Sequence, residues 1–280
     1  MFHTVRAENG VVFLRSDKLV STHGFATRIG GVSCEAHTAS LNLAFGRGDG
    51  EDTVLENLSL FADAVGFDKE SIISLPQIHS ADVLTVDKSH RGQGYFRASL
   101  GEVDGYATSD GDITLGVKSA DCVPILLEAE DKNGNIIAVA AIHAGWRGTV
   151  GGIAENAVRM LLLMGATADK IRAAIGPAIG DCCFEVGEEF YQAVADARGT
   201  ELADRFVFVR GQKVFADIKG MNQRILTDCG VSAENIDLCS ECTCCLLDKY
   251  FSHRRMRGLR GTMLSVINMK NQLGNSHKFA

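Results

Sequence analysis

TLGVKSADCVPILLEAEDKNGNIIAVAAIHAGWRG, residues Thr114–Gly148, is the stretch whose reading decides the fold. It holds two short apolar runs, Val123–Leu127 and Ile136–Ile142, separated by the charged segment Glu128–Asn135, which contains Asn133-Gly134. Runs too short for a typical helix and bounded by turn chemistry read as buried strands joined by a hairpin-like connection. Each run carries one chemically unusual residue at an end. Asp121-Cys122 precedes the first, and His143 closes the second ahead of Ala144-Gly145-Trp146-Arg147-Gly148. Antiparallel pairing would put Cys122 and His143 at the same sheet edge, as a nucleophile pair or as part of a metal site.

Composition bounds what surrounds that hairpin. The 280 residues are 46% hydrophobic and 22% charged, ordinary for a chain that buries a sizeable core, and no Pro- or Ser-rich linker divides them. One domain over residues 1–280 is the expectation. A net charge of -7 without a long basic run argues against a nucleic-acid partner and leaves room for a local basic pocket, so small ligands are expected. No apolar stretch reaches the roughly 18 residues of a membrane span, and the first residues do not read as an export signal. Nine cysteines, two pairs of them adjacent, point to reduced thiols, some serving as metal ligands, in a cytoplasmic protein.

Outward from the hairpin, apolar residues at helical spacing predict helices over Glu51–Val65, over Val150–Met164 with Thr149 as its N-cap, and over Asp217–Cys229. A further helix is expected after Val186 and through Ala197, with Cys182-Cys183 near its start, where the helix dipole would acidify thiols. Residues 1–20 read as a strand or two, Ser71–Val86 as apolar runs on either side of Pro76-Gln77-Ile78-His79, and Glu102–Ala107, Val207–Val214 and Met263–Met269 as strands. Several residues stand between two readings. Arg28, ahead of Gly30-Gly31, is either a solvated arginine in a tight turn or a ligand contact. Asp104 is either a turn acid or a polar partner of the site. Gly145–Thr149 with Arg147 either only turns and packs or holds an anion at a helix N-terminus. Cys239-Ser240-Glu241-Cys242-Thr243-Cys244-Cys245 is either a metal site or a cluster of reduced thiols, and the arginines of Phe251–Arg260 are either surface charges or anion-binding forks.

His79, at a strand interruption, completes a His2Cys set with Cys122 and His143. Three such ligands with a fourth position left open describe a catalytic zinc site, which would keep Cys122 as thiolate and bring a water toward neutral pKa. The spacing carries no local signature of its own.

The motifs Thr27-Arg28-Ile29-Gly30-Gly31-Val32-Ser33, Ser40-Leu41-Asn42-Leu43, Gln77-Ile78-His79, Ala120-Asp121-Cys122-Val123-Pro124, His143–Gly148, Ile175-Gly176-Pro177 with Cys182-Cys183-Phe184-Glu185-Val186, and Phe251-Ser252-His253-Arg254-Arg255 occur in one order from about residue 22 to 268. Together they resemble the multicopper polyphenol oxidase (laccase) domain family, now described as purine nucleoside phosphorylases with adenosine deaminase activity. The resemblance implies an α/β (α+β) fold in an α/β/β/α layered sandwich with mixed sheets. It also implies zinc on His79, Cys122 and His143, with copper as the alternative metal. Its substrates would be adenosine, inosine, guanosine and methylthioadenosine, with phosphate as co-substrate. On that reading Arg147, Arg28 and Arg254 are candidates for anion binding, Asp121 and Asp104 for acid–base work, and Asn42 and Gln77 for substrate contact. The chain departs from the family at several places: Ser80 replaces the usual glycine, His253 stands where tyrosine is frequent, Gly261-Thr262 lacks the arginine usual before Met263, and Cys239, Cys244 and Cys245 are extra cysteines peculiar to this chain.

Two rival enzymes share the family. A copper-dependent polyphenol oxidase needs paired histidines for several ions, and this chain has no His-x-His. A peptidoglycan-precursor editing hydrolase would use Cys122 and His143 as nucleophile and base. A non-catalytic metal-dependent binding module is a third reading.

Overall fold

The computed structural model describes residues 1–270. In chain order the elements begin with β1 (Phe2–Arg6), β2 (Val12–Ser16), β3 (Thr22–Ala26), α1 (Glu51–Val65), β4 (Ile72–Ile73), β5 (Val83–Thr85), β6 (Gly105–Thr108), β7 (Thr114–Ser119), β8 (Val123–Glu130) and β9 (Ile136–Ala144). They continue with α2 (Trp146–Gly151), α3 (Ile153–Leu163), β10 (Ile171–Ile175), β11 (Glu185–Val186), α4 (Glu188–Arg198), α5 (Thr200–Phe206), β12 (Val207–Arg210), β13 (Lys213–Ala216), α6 (Ile218–Asp228), β14 (Ile236–Leu238) and β15 (Met263–Asn268). Two six-stranded sheets form, ordered β1-β2-β3-β15-β7-β4 and β14-β10-β8-β9-β6-β5, beside a small sheet β11-β13-β12. Both large sheets are mixed, because β4 lies parallel to β7, β5 to β6 and β10 to β14 while the other pairs are antiparallel.

The hairpin from the opening stretch, β8–β9, is the middle of the second sheet. Its turn closes on Asp131, whose carboxylate accepts the backbone N–H groups of Asn133 and Asn135, while Gly134 takes the left-handed φ of 84° that a side chain would resist. The apolar runs are continuous because both faces are covered. Val123, Ile125, Leu127 and Ala129 of β8, with Ala138, Ala140 and Ile142 of β9, pack against α3 and α6, while Leu126, Val139 and Ala141 point to the other sheet. Beyond that first sheet lies α1: Gly24 of β3 faces Val65, whereas its neighbour Phe25 turns the opposite way onto Gly176 and Pro124. The order of layers is therefore α/β/β/α, as the resemblance implied.

Helix α1 occupies the predicted span. The helix expected over Val150–Met164 is instead two, because the apolar spacing runs on across Gly152 while its φ of 94° ends α2 and restarts the chain as α3. Thr149 consequently lies inside α2, the N-cap being Gly145. Cys182-Cys183 sit in a turn well before α4 rather than at a helix start, and burial raises both thiols instead of acidifying them. The strand expected at Val207–Val214 is the hairpin β12–β13, folded at Gly211. Among the described residues no helix is long and apolar enough to cross a membrane.

Candidate active site

The β8–β9 register pairs Val123 with Ala144 and Pro124 with His143, so Cys122 and His143 emerge at one edge of the sheet. His79 arrives from the loop before β5. Its Nε2 lies 3.8 Å from the Cys122 sulfur, and the ligand atoms of His79, Cys122 and His143 all fall within 4.8 Å of one another. His143 is buried, Cys122 half-buried and His79 exposed, so the group opens to one side. A side chain at Gly145 would come within 2.6 Å of the His79 ring and 3.4 Å of the Cys122 sulfur, which explains glycine at that position. The set thus fits a metal ion: three soft or borderline donors, one face open, and room kept clear behind it.

Asp104 builds this geometry. Its fully buried carboxylate accepts the backbone N–H groups of Ile78, His79 and Ser80 at 3.1, 3.0 and 2.7 Å, and takes the Nδ1 proton of His143 at 2.8 Å. It engages His143 through Nδ1 and so presents Nε2 to an ion, which would displace the proton that Nε2 carries beside the thiolate, and it holds His79 at a φ of 63° that the chain would otherwise avoid. Burial acts to raise the Asp104 carboxyl, but these donors win and lower it. Burial likewise works to raise the Cys122 thiol, yet the His143 and His79 rings outweigh it and bring it to about 6. His143 moves the opposite way: burial would lower it, while Cys122 and Asp104 lift it to about 9. The cysteine is therefore a thiolate at neutral pH, ready for a cation.

Beside the triad opens a cavity of about 770 Å³, large enough for a nucleoside-sized ligand. His79, Cys122, His143 and Asp121 form one part of its lining, the aromatic rings of Phe45, Trp146 and Phe184 another, and Arg47, Lys118, His253, Arg254 and Arg260 a third. A chain that is acidic as a whole thus concentrates positive charge here. Burial, reinforced by Arg47, lowers Lys118 to about 8 and Arg260 to about 10. Burial and the neighbouring Arg260 also lower His253.

The residues expected at the site divide sharply. His79, Cys122, His143, Asp121, Gln77 and Arg254 line the cavity; Asp104 stands behind His143; Arg28, Asn42 and Arg147 do not reach it. Arg28 donates to the carbonyls of Ala39 and Leu247 and stacks on Phe251. Asn42, fully buried, bonds Ala44, Asp49 and the N–H of Thr262, thereby pinning the loop that carries Arg47. Arg147 is exposed and lies over the Trp146 ring, 4.3 Å from its centre. Asp121 has its carboxylate taken by the Thr243 and Ser252 hydroxyls and the Arg254 N–H. Gln77 clamps both backbone groups of Lys118 through its amide.

Sequence reasoning missed Arg47 and Lys118. For Lys118 a signal existed, a lysine inside the otherwise apolar strand Thr114–Ser119; Arg47, in a glycine-rich loop without periodicity, offered none. Arg260 stands in the cavity one residue ahead of the Gly261-Thr262 pair that lacks the family's arginine.

Residues 22–270 match the family model described as "Multi-copper polyphenol oxidoreductase laccase". The chain belongs to this family. Among curated relatives, the purine nucleoside phosphorylase YlmD of Geobacillus stearothermophilus is 34% identical over 252 residues, covering 89% of this chain and 90% of that protein. The adenosine deaminase RL5 of an unknown prokaryotic organism is 37% identical over 237 residues, covering 83% and 88%. The crystal structure of the Bacillus licheniformis hypothetical protein YfiH superposes with a TM-score of 0.86 at 30% identity, over 95% of this chain and 99% of that one. The relatives' names support an enzyme acting on purine nucleosides, and the family together with the His2Cys group implies a metal.

Proposed function

We propose that this protein is a zinc-dependent purine nucleoside phosphorylase that also deaminates adenosine. The observation that carries the reading is a single cavity whose lining includes the His2Cys triad, the cations Arg47, Lys118, Arg254 and Arg260, and the aromatic rings of Phe45, Trp146 and Phe184. Adenosine, inosine, guanosine and methylthioadenosine are the proposed nucleosides, and inorganic phosphate the co-substrate.

His79, Cys122 and His143 would hold the zinc ion. Bound there it supplies Lewis acidity, and its hydrogen-bonded surroundings fix ligand orientation. The purine ring lies among Phe45, Trp146 and Phe184, whose faces accept a flat heterocycle. Phosphate is bound by the guanidinium groups of Arg47, Arg254 and Arg260 and by the Lys118 ammonium, in a partly desolvated pocket that strengthens each contact. In phosphorolysis a phosphate oxygen forms the new bond to ribose C1′, the glycosidic bond breaks, and the base leaves with its electron pair and gains a proton. In deamination water adds at C6 and ammonia leaves. Asp104 serves by orienting His143, and Asp121 by seating the segment that carries His253 and Arg254. With four donors already on Asp104 and three on Asp121, both are positioning residues rather than proton carriers. Gln77 does the same for Lys118.

The test incubates the zinc-loaded protein with adenosine, with and without phosphate, and separates adenine, inosine and ribose 1-phosphate. Phosphate-dependent adenine together with phosphate-independent inosine is the expected result. If neither product forms, the reading fails.

A further inference from the structure

Away from the cavity's metal triad, four more sulfurs converge. Cys182 and Cys183 lie in the turn that follows β10, and Cys242 and Cys245 in the turn that follows β14. The parallel pairing of β10 with β14 sends both turns off the same edge, and a further bridge joins Ala178 to Cys242. The Cys245 sulfur is 3.5 Å from that of Cys182 and 3.4 Å from that of Cys183, and all four sulfurs lie within 4.8 Å of one another. We propose that these four cysteines form a second metal site that holds one thiophilic divalent ion, zinc, in a closed structural tetrahedron.

Four observations support it. Zinc–sulfur bonds of about 2.3 Å place the corners of a tetrahedron about 3.8 Å apart, a spacing these sulfurs reach with small side-chain shifts. An iron–sulfur cluster spreads its cysteines more widely, so a mononuclear ion is the better fit. Second, Cys242-Thr243-Cys244-Cys245 is a Cys-x2-Cys turn, and the backbone N–H of Gly180 donates to the Cys242 sulfur at 3.1 Å. Such a donor offsets part of the excess negative charge of four thiolates around a dication. Third, the surroundings are prepared: the Arg254 guanidinium donates to the carbonyls of Cys183 and Glu185, while Cys182 and Cys245 are exposed and give an ion access from solvent. Fourth, the two nearby cysteines that do not converge are accounted for otherwise, Cys239 and Cys244 being buried in the two separate cores. A disulfide explains the arrangement less well, since it would join two sulfurs at about 2.0 Å and leave the other two without purpose.

The site would staple a wall of the active-site cavity. Ile179 and Phe184, on either side of the first turn, line that cavity, and Thr243, within the second, donates its hydroxyl to Asp121. Binding displaces the thiol protons, four if all start protonated, and leaves a tetrathiolate complex of charge -2.

The test uses the full chain, purified under reductant without oxygen, and reads cobalt(II) in place of zinc, so it needs no substrate and is independent of the proposed activity. In Cys122→Ser, which removes a ligand of the triad, one cobalt per chain is expected to remain, with intense thiolate-to-cobalt charge transfer and tetrahedral ligand-field bands. Adding Cys245→Ser to that variant should abolish both the bands and that bound ion. Should the combined variant not accumulate as folded protein, Cys182→Ser replaces Cys245→Ser and is read the same way, both side chains being exposed. Absence of charge transfer in Cys122→Ser, its persistence in the combined variant, or mass-spectrometric detection of a disulfide among the four in reduced protein would overturn the proposal.

Discussion

The triad and the four-cysteine group collect their ligands in opposite ways. His79, Cys122 and His143 flank strands of one sheet, are braced by the Asp104 carboxylate, and face a cavity on their open side. The four cysteines come from two turns, are braced by the Gly180 backbone N–H, and enclose their centre with sulfur. Three mixed ligands with a vacant direction describe a site that does chemistry, whereas four like ligands describe one that holds structure. What separates the two is the supporting frame as much as the donor atoms: a sheet edge for the proposed reacting group, and two turns for the proposed structural one.

The largest effect expected is the split that follows from this difference. Cys122→Ser should lower turnover by more than the roughly 100-fold that losing an outer partner costs, while its melting temperature stays near that of wild type at saturating zinc. A large fall in melting temperature with little loss of turnover would reverse the assignment of the two groups. Asp104→Asn comes next. It turns an amide NH2, itself a donor, toward N–H groups that need an acceptor, so metal affinity or activity should drop by about 10–100-fold, with a loss of about 1–3 kcal/mol for a buried donor left unpaired. Zinc binding measured beside chemical unfolding checks both halves. Unchanged zinc affinity would mean that the His143–Asp104 contact does not tune the triad.

Much of this frame could be read from the chain before folding. The β8–β9 hairpin and α1 follow from apolar period and turn residues, and so do the strand-end positions of Cys122 and His143. The layer order and the role of His79 rested on motif resemblance, because separation along the chain says nothing about which strand ends meet. Arg28 and Arg147 satisfy the anion-binding pattern of an arginine beside glycines, yet in the fold their guanidinium groups rest on carbonyls and an aromatic ring away from the cavity lining. Asn42, expected as a substrate contact, instead bonds Ala44, Asp49 and Thr262 outside the cavity lining. The four-cysteine group was hidden because only the parallel β10–β14 pairing brings its halves together, and because Cys239 and Cys244 blur the Cys-x2-Cys spacing at Cys242 and Cys245.

Cys245→Ser alone should give the inverse of Cys122→Ser, with a melting temperature lower by about 5–10 °C and turnover changed far less than by loss of a triad ligand. A smaller effect concerns charge in the cavity. Lys118, held at about 8 by burial and by Arg47, is a cation below that pH and loses its charge as pH rises through it. The KM for phosphate should therefore climb several-fold between about pH 7 and 9. Phosphate itself also titrates, so the control is Lys118→Arg, which stays charged and should not show the alkaline rise. Matching profiles for the two proteins would remove Lys118 from phosphate binding.

The smallest effect expected belongs to Arg147, and it is informative for that reason. The residue sits at the start of α2, one position from the cavity-lining Trp146, yet its guanidinium rests on the outer side of the site against that indole. An exposed contact of this kind contributes on the order of 0.5–1 kcal/mol. Arg147→Ala should cost no more than that in stability and leave the phosphate KM unchanged, while Arg260→Ala, at a partly buried position inside the cavity, raises it. If instead Arg147→Ala raises KM as Arg260→Ala does, the guanidinium swings inward when phosphate binds. The anion site then extends past Trp146 to the helix start, as the glycine-rich turn suggested.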